Sequence, residues 1–321
     1  MQGRAPLASI QGGIIQDCVV SRETFFTAWN ASGYIAAPSP DRTCSTRRRM
    51  SRVIAIANQK GGVGKTTTAI NLGAALAVAE RKVLVVDMDP QGNATSGLGL
   101  SRAETELSIY DTLVDRLSVE RIIKHGIHFP YLDVAPANQD LVGAEVELVN
   151  RPQREHVLRQ ALAETRERYQ YILVDCPPSL GLLTLNTLTA ADAVLIPIQC
   201  EFYALEGLSQ LLNTVRLVQQ NLNPNLQIEG VLLTMFDQRL NLSRQVAEEA
   251  KEYFGSSVFR SVIPRNVRLA EAPSFGKPII LYDVVSAGAQ AYLALAREII
   301  DREQGGTKSG PRGRREGKAA G

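Results

Sequence analysis

The stretch Lys60-Gly61-Gly62-Val63-Gly64-Lys65-Thr66-Thr67 determines the fold that we predict for this 321-residue chain. It follows an apolar run, Val53 to Ala57, and precedes a segment of helical character, Thr66 to Glu80. A strand, a glycine-rich loop and a helix in this order are typical of a phosphate-binding site. Glycines leave backbone N–H groups free to point at phosphate oxygens, and the N-terminus of the helix adds its positive dipole.

The residue types of this loop predict a nucleoside triphosphate and Mg²⁺ as ligands. The Lys65 ammonium is placed to reach the β- and γ-phosphates, and the Thr66 hydroxyl to take a position on Mg²⁺. The predicted nucleotide-binding residues of the loop are Lys60, Gly61, Gly62, Val63, Gly64, Lys65, Thr66 and Thr67.

One departure from the ordinary phosphate-binding loop is informative. The usual pattern has glycine where this chain has Gln59, and a second lysine, Lys60, stands five residues before Lys65. A lysine at the start of the loop is better explained as a charge presented to a second nucleotide across a dimer interface. The loop resembles that of the deviant Walker A ATPases, which include MinD, the nitrogenase iron protein and ParA. The resemblance implies that Lys60 acts in catalysis on the partner subunit's ATP.

The rest of the chain alternates short β-rich apolar runs with helical segments, which predicts an α/β fold. We expect a mostly parallel twisted sheet flanked by helices on both faces. Helices are predicted near 66–80, 139–149, 153–168, 203–221, 241–254 and 287–302. The predicted strands are Val53–Ala57, Val83–Asp87, Tyr131–Val134, Tyr171–Asp175, Ala193–Ile198, Gly230–Thr234 and Phe259–Ile263.

Carboxylates at the ends of two predicted strands add a metal site. Asp87 and Asp89 stand two residues apart after the second strand, where an extended chain places both on one side. Asp175 ends a later strand, and strand ends in open α/β sheets face the ligand crevice. By resemblance, Asp87 and Asp175 lie beside Mg²⁺, and Asp89 orients or deprotonates the attacking water. Cys176, next in the chain, is better interpreted as a small packing residue than as a cluster ligand.

Two downstream segments, Cys200–Leu208 and Val262–Ser274, resemble the chromosomal ParA/Soj branch of this family. In that branch the segment of Pro264 and Asn266 lies against the adenine. Arg239 and Arg268 match positions where Soj-type proteins carry arginines that contact DNA. A solvated arginine or a surface ion pair is an equally weighted alternative for each of them.

The two ends of the chain differ from the body in charge. Residues 1–49 and 301–321 each carry six Lys/Arg against three Asp/Glu, which leaves the body with an acidic excess despite a net charge of +2. We expect residues 1–49 to be a disordered or mis-annotated extension, with Met50 as the natural start. Residues 50–304 should form one ATPase domain, and 305–321 a disordered basic tail.

The four cysteines, Cys18, Cys44, Cys176 and Cys200, have neither zinc-ligand spacing nor a disulfide pattern, which favours a cytoplasmic protein. No apolar run reaches the length of a membrane span.

The resemblance therefore implies a DNA-partitioning ATPase of the ParA/Soj type, associated with the nucleoid. ATP would close two subunits into a homodimer that binds double-stranded DNA non-specifically. Slow hydrolysis, stimulated by a ParB-like centromere-binding protein, would release the dimer. The alternative is a MinD-like membrane ATPase. That branch ends in a basic amphipathic helix, and Gly305 to Gly321 contains no Leu, Ile, Phe or Trp from which to build one.

Overall fold

The strands are short, nearly continuous apolar runs because helices bury a parallel sheet on both of its faces. In the computed structural model, residues 51–101, 105–201 and 204–306 are described. Their strands form one sheet in which every pairing is parallel, in the order β3-β2-β4-β1-β5-β6. The strands are β1 Arg52–Ile56, β2 Val83–Asp87, β3 Leu132–Ala135, β4 Tyr171–Asp175, β5 Ala193–Gln199 and β6 Gln227–Thr234.

The helices that connect these strands cover the sheet. They are α1 Lys65–Val78, α2 Asn93–Gly97, α3 Ile109–Leu113, α4 Leu141–Glu147, α5 Val157–Leu162, α6 Leu182–Ala190, α7 Ala204–Asn221, α8 Asn241–Phe254, α9 Val267–Glu271, α10 Ile279–Tyr282 and α11 Ala287–Gly306. The predicted fold class is confirmed.

Alternation along the strands divides the core into two layers. Val85 and Leu173 face α1, whose Gly73 lies so close that an added Cβ would stand 2.9 Å from Val85 Cγ2. Val86 and Val174 belong to the buried cluster on the opposite face, together with residues of α4 to α8. Helices therefore cover both faces of the sheet.

The strand order brings three loop-bearing ends together. β4 lies between β2 and β1, with Asp87 level with Asp175 and Ile56 level with Asp175 in the register. Because all strands are parallel, the phosphate-binding loop after β1 and the acidic ends of β2 and β4 share one edge of the sheet. Ligands of open α/β sheets bind at this edge.

The predicted seventh strand, Phe259–Ile263, is wrong. Phe259 and Ile263 donate backbone hydrogen bonds to β6, but the N–H groups of Arg260 and Ser261 both bind the Glu298 carboxylate of α11, at 2.9 Å each. A side chain 37 to 38 residues downstream thus binds the backbone N–H groups that pairing with a strand would need, and the segment is irregular.

Several predicted helices differ in extent. The single helix expected over 153–168 is instead α5, Val157–Leu162, with a 3-10 turn on each side, Arg154–His156 and Thr165–Arg168. α11 continues to Gly306, four residues past its predicted end. The proposed N-terminal extension, residues 1–49, and most of the proposed tail lie outside the described residues. None of the helices in the described ranges is long and apolar enough to cross a bilayer.

Because α1 lies so close to the sheet at Gly73, a larger side chain at this position should lower the stability of the protein. Gly73→Val should lower the free energy of unfolding by about 2 kcal/mol or more relative to Gly143→Val, because overpacking a rigid core costs about 1–3 kcal/mol. Gly143, in α4, is the matched control, since a Cβ there meets the flexible Glu147 carboxylate. Urea unfolding of both variants measures the difference. Equal stabilities would contradict the packing described here.

Candidate functional site

The loop between β1 and α1 is an open cradle of backbone. Gly62 has φ of 75° and Gly64 φ of 85°, conformations that side-chain-bearing residues rarely adopt. A Cβ added at Gly61 or Gly62 would meet nothing within 4 Å, so space lies in front of the loop. The Thr68 hydroxyl donates to the Gly64 carbonyl at 2.7 Å and fixes the first turn of α1. The loop therefore presents backbone to an open volume of the kind that phosphate occupies.

Two lysines of the loop have different surroundings. Lys65 is buried, and its ammonium donates to the Lys60 carbonyl at 3.2 Å. Burial lowers the pKa of Lys65, while the Asp175 and Asp89 carboxylates act in the opposite direction. Lys65 is thus a partly desolvated charge beside two acids, as a phosphate-binding lysine requires.

Lys60 is positioned through its backbone rather than its side chain. Its N–H donates to Asn58 Oδ1 at 3.0 Å, and the Asn58 amide donates to the Pro197 carbonyl of β5 at 2.7 Å. Among the described residues, no carboxylate lies within ion-pair distance of the Lys60 ammonium. The Lys60 ammonium, which is predicted to contact a second nucleotide, therefore has no carboxylate partner among the described residues of its own chain.

Asp87 is a fully buried carboxylate whose two oxygens organise the following loop. Oδ1 accepts from the Asp89 N–H at 3.1 Å, and Oδ2 accepts from the Thr95 N–H at 2.8 Å and the Thr95 hydroxyl at 2.7 Å. The Thr95 hydroxyl in turn accepts from the Ala137 N–H at 3.0 Å. Burial raises the pKa of Asp87 to about 6, although the Thr95 hydrogen bonds favour its ionised form. Asp87 therefore holds α2 and the β3 exit against β2, in addition to its predicted place beside the metal.

Asp175 is the opposite case, a buried carboxylate that no strong hydrogen bond satisfies. Neither of its oxygens has a well-formed hydrogen bond among the described residues. Burial and the adjacent Asp87 carboxylate raise the pKa of Asp175 well above its usual range; Thr66 and Lys65 act in the other direction. A carboxylate of this kind, beside a threonine hydroxyl, is a suitable donor set for a divalent cation.

The protein contributes few ligands to such a cation. No group of three or more His, Cys, Asp or Glu residues within the described ranges is arranged to hold a metal. That composition fits Mg²⁺, which usually keeps several waters and binds through one or two carboxylates plus substrate phosphates. Thr66 and Asp175 therefore fit the predicted Mg²⁺ site, with Asp87 immediately behind them.

Asp89 lies at the turn that leaves β2. Its Oδ1 accepts from the Gln91 N–H at 2.9 Å, its carbonyl accepts from the Gly92 N–H at 2.8 Å, and it is 8% exposed. Its influence on the pKa of both Lys65 and Asp175 places it beside them. The structure thus brings Asp89 and Lys65, both predicted to act in catalysis, together at one edge of the sheet.

The end of β6 connects the phosphate loop to the predicted adenine segment. The Thr234 hydroxyl donates to the Val63 carbonyl at 2.9 Å. The next residue, Met235, has φ of 51°, a strained conformation for a side-chain-bearing residue. Phe236 then pairs with Pro264. Pro264 and Asn266 therefore lie near the sheet edge that carries the phosphate loop. The Asn266 side chain caps α9 by accepting a hydrogen bond from the Arg268 N–H at 2.8 Å.

The predicted DNA-binding arginines lie outside this cluster and are paired with carboxylates of the chain. Arg239 contacts Asp237, and Arg268 contacts Glu271 and Asp283. Both side chains are more than half exposed.

The sequence did not reveal two residues that shape the site, Thr95 and Thr234. Each is a threonine whose hydroxyl bonds a residue more than 40 positions away. No local pattern distinguishes such a threonine from any other, so sequence reasoning had no signal for them. Cys176, by contrast, is buried as expected, and burial raises the pKa of its thiol to about 12, which keeps it unreactive.

Comparisons with known proteins agree with this geometry. A family profile described as an AAA domain matches residues 51–228. The chain is 58% identical over 265 residues to the chromosome partitioning protein ParA of Myxococcus xanthus, covering 83% of this chain and 92% of that protein. It is 62% identical over 250 residues to the sporulation initiation inhibitor protein Soj of Bacillus subtilis, covering 78% and 98%.

A solved structure gives the same result for the fold. The crystal structure of cobyrinic acid a,c-diamide synthase from Mycobacterium smegmatis with bound ADP and magnesium is 38% identical to this chain. The likeness has a TM-score of 0.70 and covers 80% of this chain and 97% of that one.

The burial of Asp175 without a strong hydrogen bond predicts a gain in stability when its charge is removed. Asp175→Asn should raise the free energy of unfolding of the ligand-free protein by about 1–3 kcal/mol, because an amide carries no charge to desolvate and none to repel the adjacent Asp87 carboxylate. Chemical denaturation without nucleotide or divalent cation measures it.

Asp133→Asn is the matched control, in the same sheet. The Asp133 carboxylate accepts hydrogen bonds from the Gly126 N–H at 2.8 Å and the Tyr169 hydroxyl at 2.7 Å, and it lies 2.9 Å from His125 Nδ1. Its replacement by asparagine should therefore lower the free energy of unfolding. A loss of stability in Asp175→Asn as large as that of the control would contradict the assignment.

Proposed function

This chain belongs to the ParA/Soj family of P-loop ATPases, and from that premise we propose that it is an ATP-dependent DNA-partitioning protein. The observation that carries the proposal is likeness over nearly the whole length of proteins named for chromosome partitioning and as Soj. A protein of this kind would be cytoplasmic and associated with the nucleoid.

ATP and Mg²⁺ are the proposed ligands of the loop and its acidic neighbours. The cradle of Gly61 to Gly64 binds the phosphates through backbone N–H groups, and Lys65 supplies the compensating charge. Thr66 and Asp175 hold Mg²⁺, with Asp87 beside its water shell, and Pro264 and Asn266 border the adenine. Bound Mg²⁺ neutralises charge that develops on the phosphate oxygens. The M. smegmatis complex with ADP and magnesium supports these ligands.

Hydrolysis needs an oriented water, and Asp89 is the residue proposed to hold it. The water oxygen forms a bond to the γ-phosphorus while the bond from the γ-phosphorus to the bridging oxygen breaks. That oxygen keeps the electron pair in ADP, and the Asp89 carboxylate accepts the proton that the water loses as inorganic phosphate forms. Lys65 stabilises the negative charge by position rather than by covalent chemistry.

Lys60 is proposed to act across a homodimer. Its backbone is fixed by Asn58, and its ammonium has no carboxylate partner in its own described site. ATP bound to a second subunit would supply the missing negative charge, so that ATP binding closes the dimer. Loss of the γ-phosphate would weaken this contact and release the subunits.

The closed dimer is proposed to bind double-stranded DNA without sequence preference, through Arg239 and Arg268 of each subunit. Backbone phosphates attract arginines in this way and carry no sequence information. A ParB-like centromere-binding protein is the proposed stimulator of hydrolysis.

Measurement of ATP hydrolysis with and without arbitrary duplex DNA and a cognate ParB-like protein tests the function. We expect slow turnover alone and stimulation by DNA plus partner. Binding to liposomes but not to DNA would overturn the proposal in favour of a membrane ATPase.

Two variants separate the proposed steps of the cycle. Asp89→Ala should keep ATP binding, dimerisation and DNA binding while losing turnover by about 10²-fold or more. Lys60→Ala should keep nucleotide binding, measured by a fluorescent ATP analogue, but remain monomeric in sedimentation. Normal hydrolysis by the first variant, or an ATP-dependent dimer of the second, would refute the role given to that residue.

Removal of Arg268 tests the proposed DNA contact. Arg268→Ala should weaken ATP-dependent DNA binding several-fold without affecting ATP-dependent dimerisation. Alanine is preferable to a charge reversal, because Glu271 and Asp283 already face this side chain. Arg260→Ala is the control, since that side chain is 84% exposed and its segment is held by Glu298. Loss of dimerisation together with DNA binding would make Arg268 a structural residue.

A further inference from the structure

Three arginines, rather than two, belong to one surface of the protein. Arg239 follows the end of β6, and Arg265 and Arg268 follow the irregular segment beside it. The two backbones run together here: Phe236 N–H donates to the Ile263 carbonyl at 3.1 Å, and Arg265 N–H donates to the Phe236 carbonyl at 3.0 Å. We call Arg239, Arg265 and Arg268 the arginine surface.

Every guanidinium of the arginine surface already contacts a carboxylate of the same chain. Arg239 is held by both oxygens of Asp237, with Nε at 2.9 Å from Oδ1 and Nη2 at 2.6 Å from Oδ2. Arg265 Nη2 lies 3.4 Å from Glu201 Oε1.

Arg268 has two such neighbours. Its Nη1 lies 3.0 Å from Glu271 Oε2, and its Nε lies 3.7 Å from Asp283 Oδ2. The surface therefore presents paired charges, and a phosphate would meet guanidinium groups whose charge is already partly offset by carboxylates.

The Asp237–Arg239 pair is the best defined of these contacts. It is bidentate, the geometry in which arginine and carboxylate bind most strongly. Asp237 Oδ1 also accepts from the Arg239 N–H at 3.1 Å, so the carboxylate is fixed by the turn itself. The Asp237 side chain is 12% exposed while that of Arg239 is 84% exposed. The hydrogen bonds from Arg239 lower the pKa of Asp237 to about 2, so it is ionised at physiological pH.

We propose that Arg239, Arg265 and Arg268 form one phosphate-binding surface that is screened by the chain's own carboxylates, with Asp237 as the principal screen. The inference rests on the proposed DNA binding and adds its regulation. A DNA phosphate must compete with a carboxylate for each guanidinium, because that carboxylate already offsets part of the arginine's charge. A single subunit therefore binds DNA weakly, and the summed contacts of two subunits are needed to overcome the screen.

Neutralising Asp237 should consequently strengthen DNA binding. The probe is a fluorescein-labelled duplex of arbitrary sequence, titrated with full-length protein and a non-hydrolysable ATP analogue over a range of salt. Asp237→Asn should tighten binding by about two- to fivefold, the range set by exposed ion pairs. Asn retains an acceptor for the Arg239 N–H, and an unchanged melting temperature confirms that the turn is preserved.

A matched control separates local release from a change in net charge. Glu164→Gln makes the same change of +1 on an exposed carboxylate that precedes β4, at the edge of the sheet opposite the nucleotide loop. The proposal requires the gain in Asp237→Asn to exceed that in Glu164→Gln. Equal gains would overturn it.

A double-mutant cycle identifies the arginine that is released. In an Arg239→Ala background, Asp237→Asn should give a smaller gain than in the unaltered protein, because the guanidinium that Asp237 contacts directly is absent. A full gain in that background would overturn the proposal.

Arg265→Ala should weaken binding more than the Arg260→Ala control does, and an equal effect would remove Arg265 from the surface.

The same titration distinguishes this inference from the function on which it rests. If the unaltered protein with the ATP analogue does not bind the duplex at any salt, the proposed function fails. If it binds and Asp237→Asn matches its control, only the screening inference fails.

Discussion

Two buried carboxylates placed side by side are the constraint on which the rest of the structure depends. Asp87 and Asp175 end neighbouring strands in register, both fully buried, and like charges at such a distance disfavour one another. The fold compensates them unequally. Thr95 and the Asp89 N–H satisfy Asp87, whereas Asp175 has no well-formed hydrogen bond and its charged form is favoured only by Thr66 and Lys65. An uncompensated charge in the core is a cost that a bound divalent cation would offset.

Local sequence predicted the elements that are determined by neighbouring residues, such as an apolar run or an amphipathic period. β2, β4 and α8 have the predicted limits, because an apolar run flanked by polar residues and an amphipathic period fix where such elements begin and end. The phosphate loop was predictable for a similar reason: its glycines and lysine are contiguous. The acidic residues were found because parallel strands deliver their ends to the same edge.

The errors occurred where a distant side chain decides the local structure. Phe259–Ile263 has the composition of a strand, yet Glu298 takes two of its amides. Thr95 and Thr234 act through contacts that the sequence separates by 42 and 171 positions. The carboxylates that pair with the arginine surface were equally hidden, since Glu201 lies 64 positions from Arg265. Long-range hydrogen bonds of this kind leave no periodic signature.

β6 gives the nucleotide edge and the arginine surface a common support. Thr234 binds the phosphate loop at Val63, Met235 takes the left-handed conformation, and Phe236 binds Arg265 through its backbone. Three consecutive residues thus connect the phosphate loop to the backbone of an arginine in the arginine surface. Met235 holds a conformation that is costly for a side-chain-bearing residue, and the contacts of its neighbours on both sides keep it there. A movement there would be transmitted directly to the pairing of Phe236 with the irregular segment.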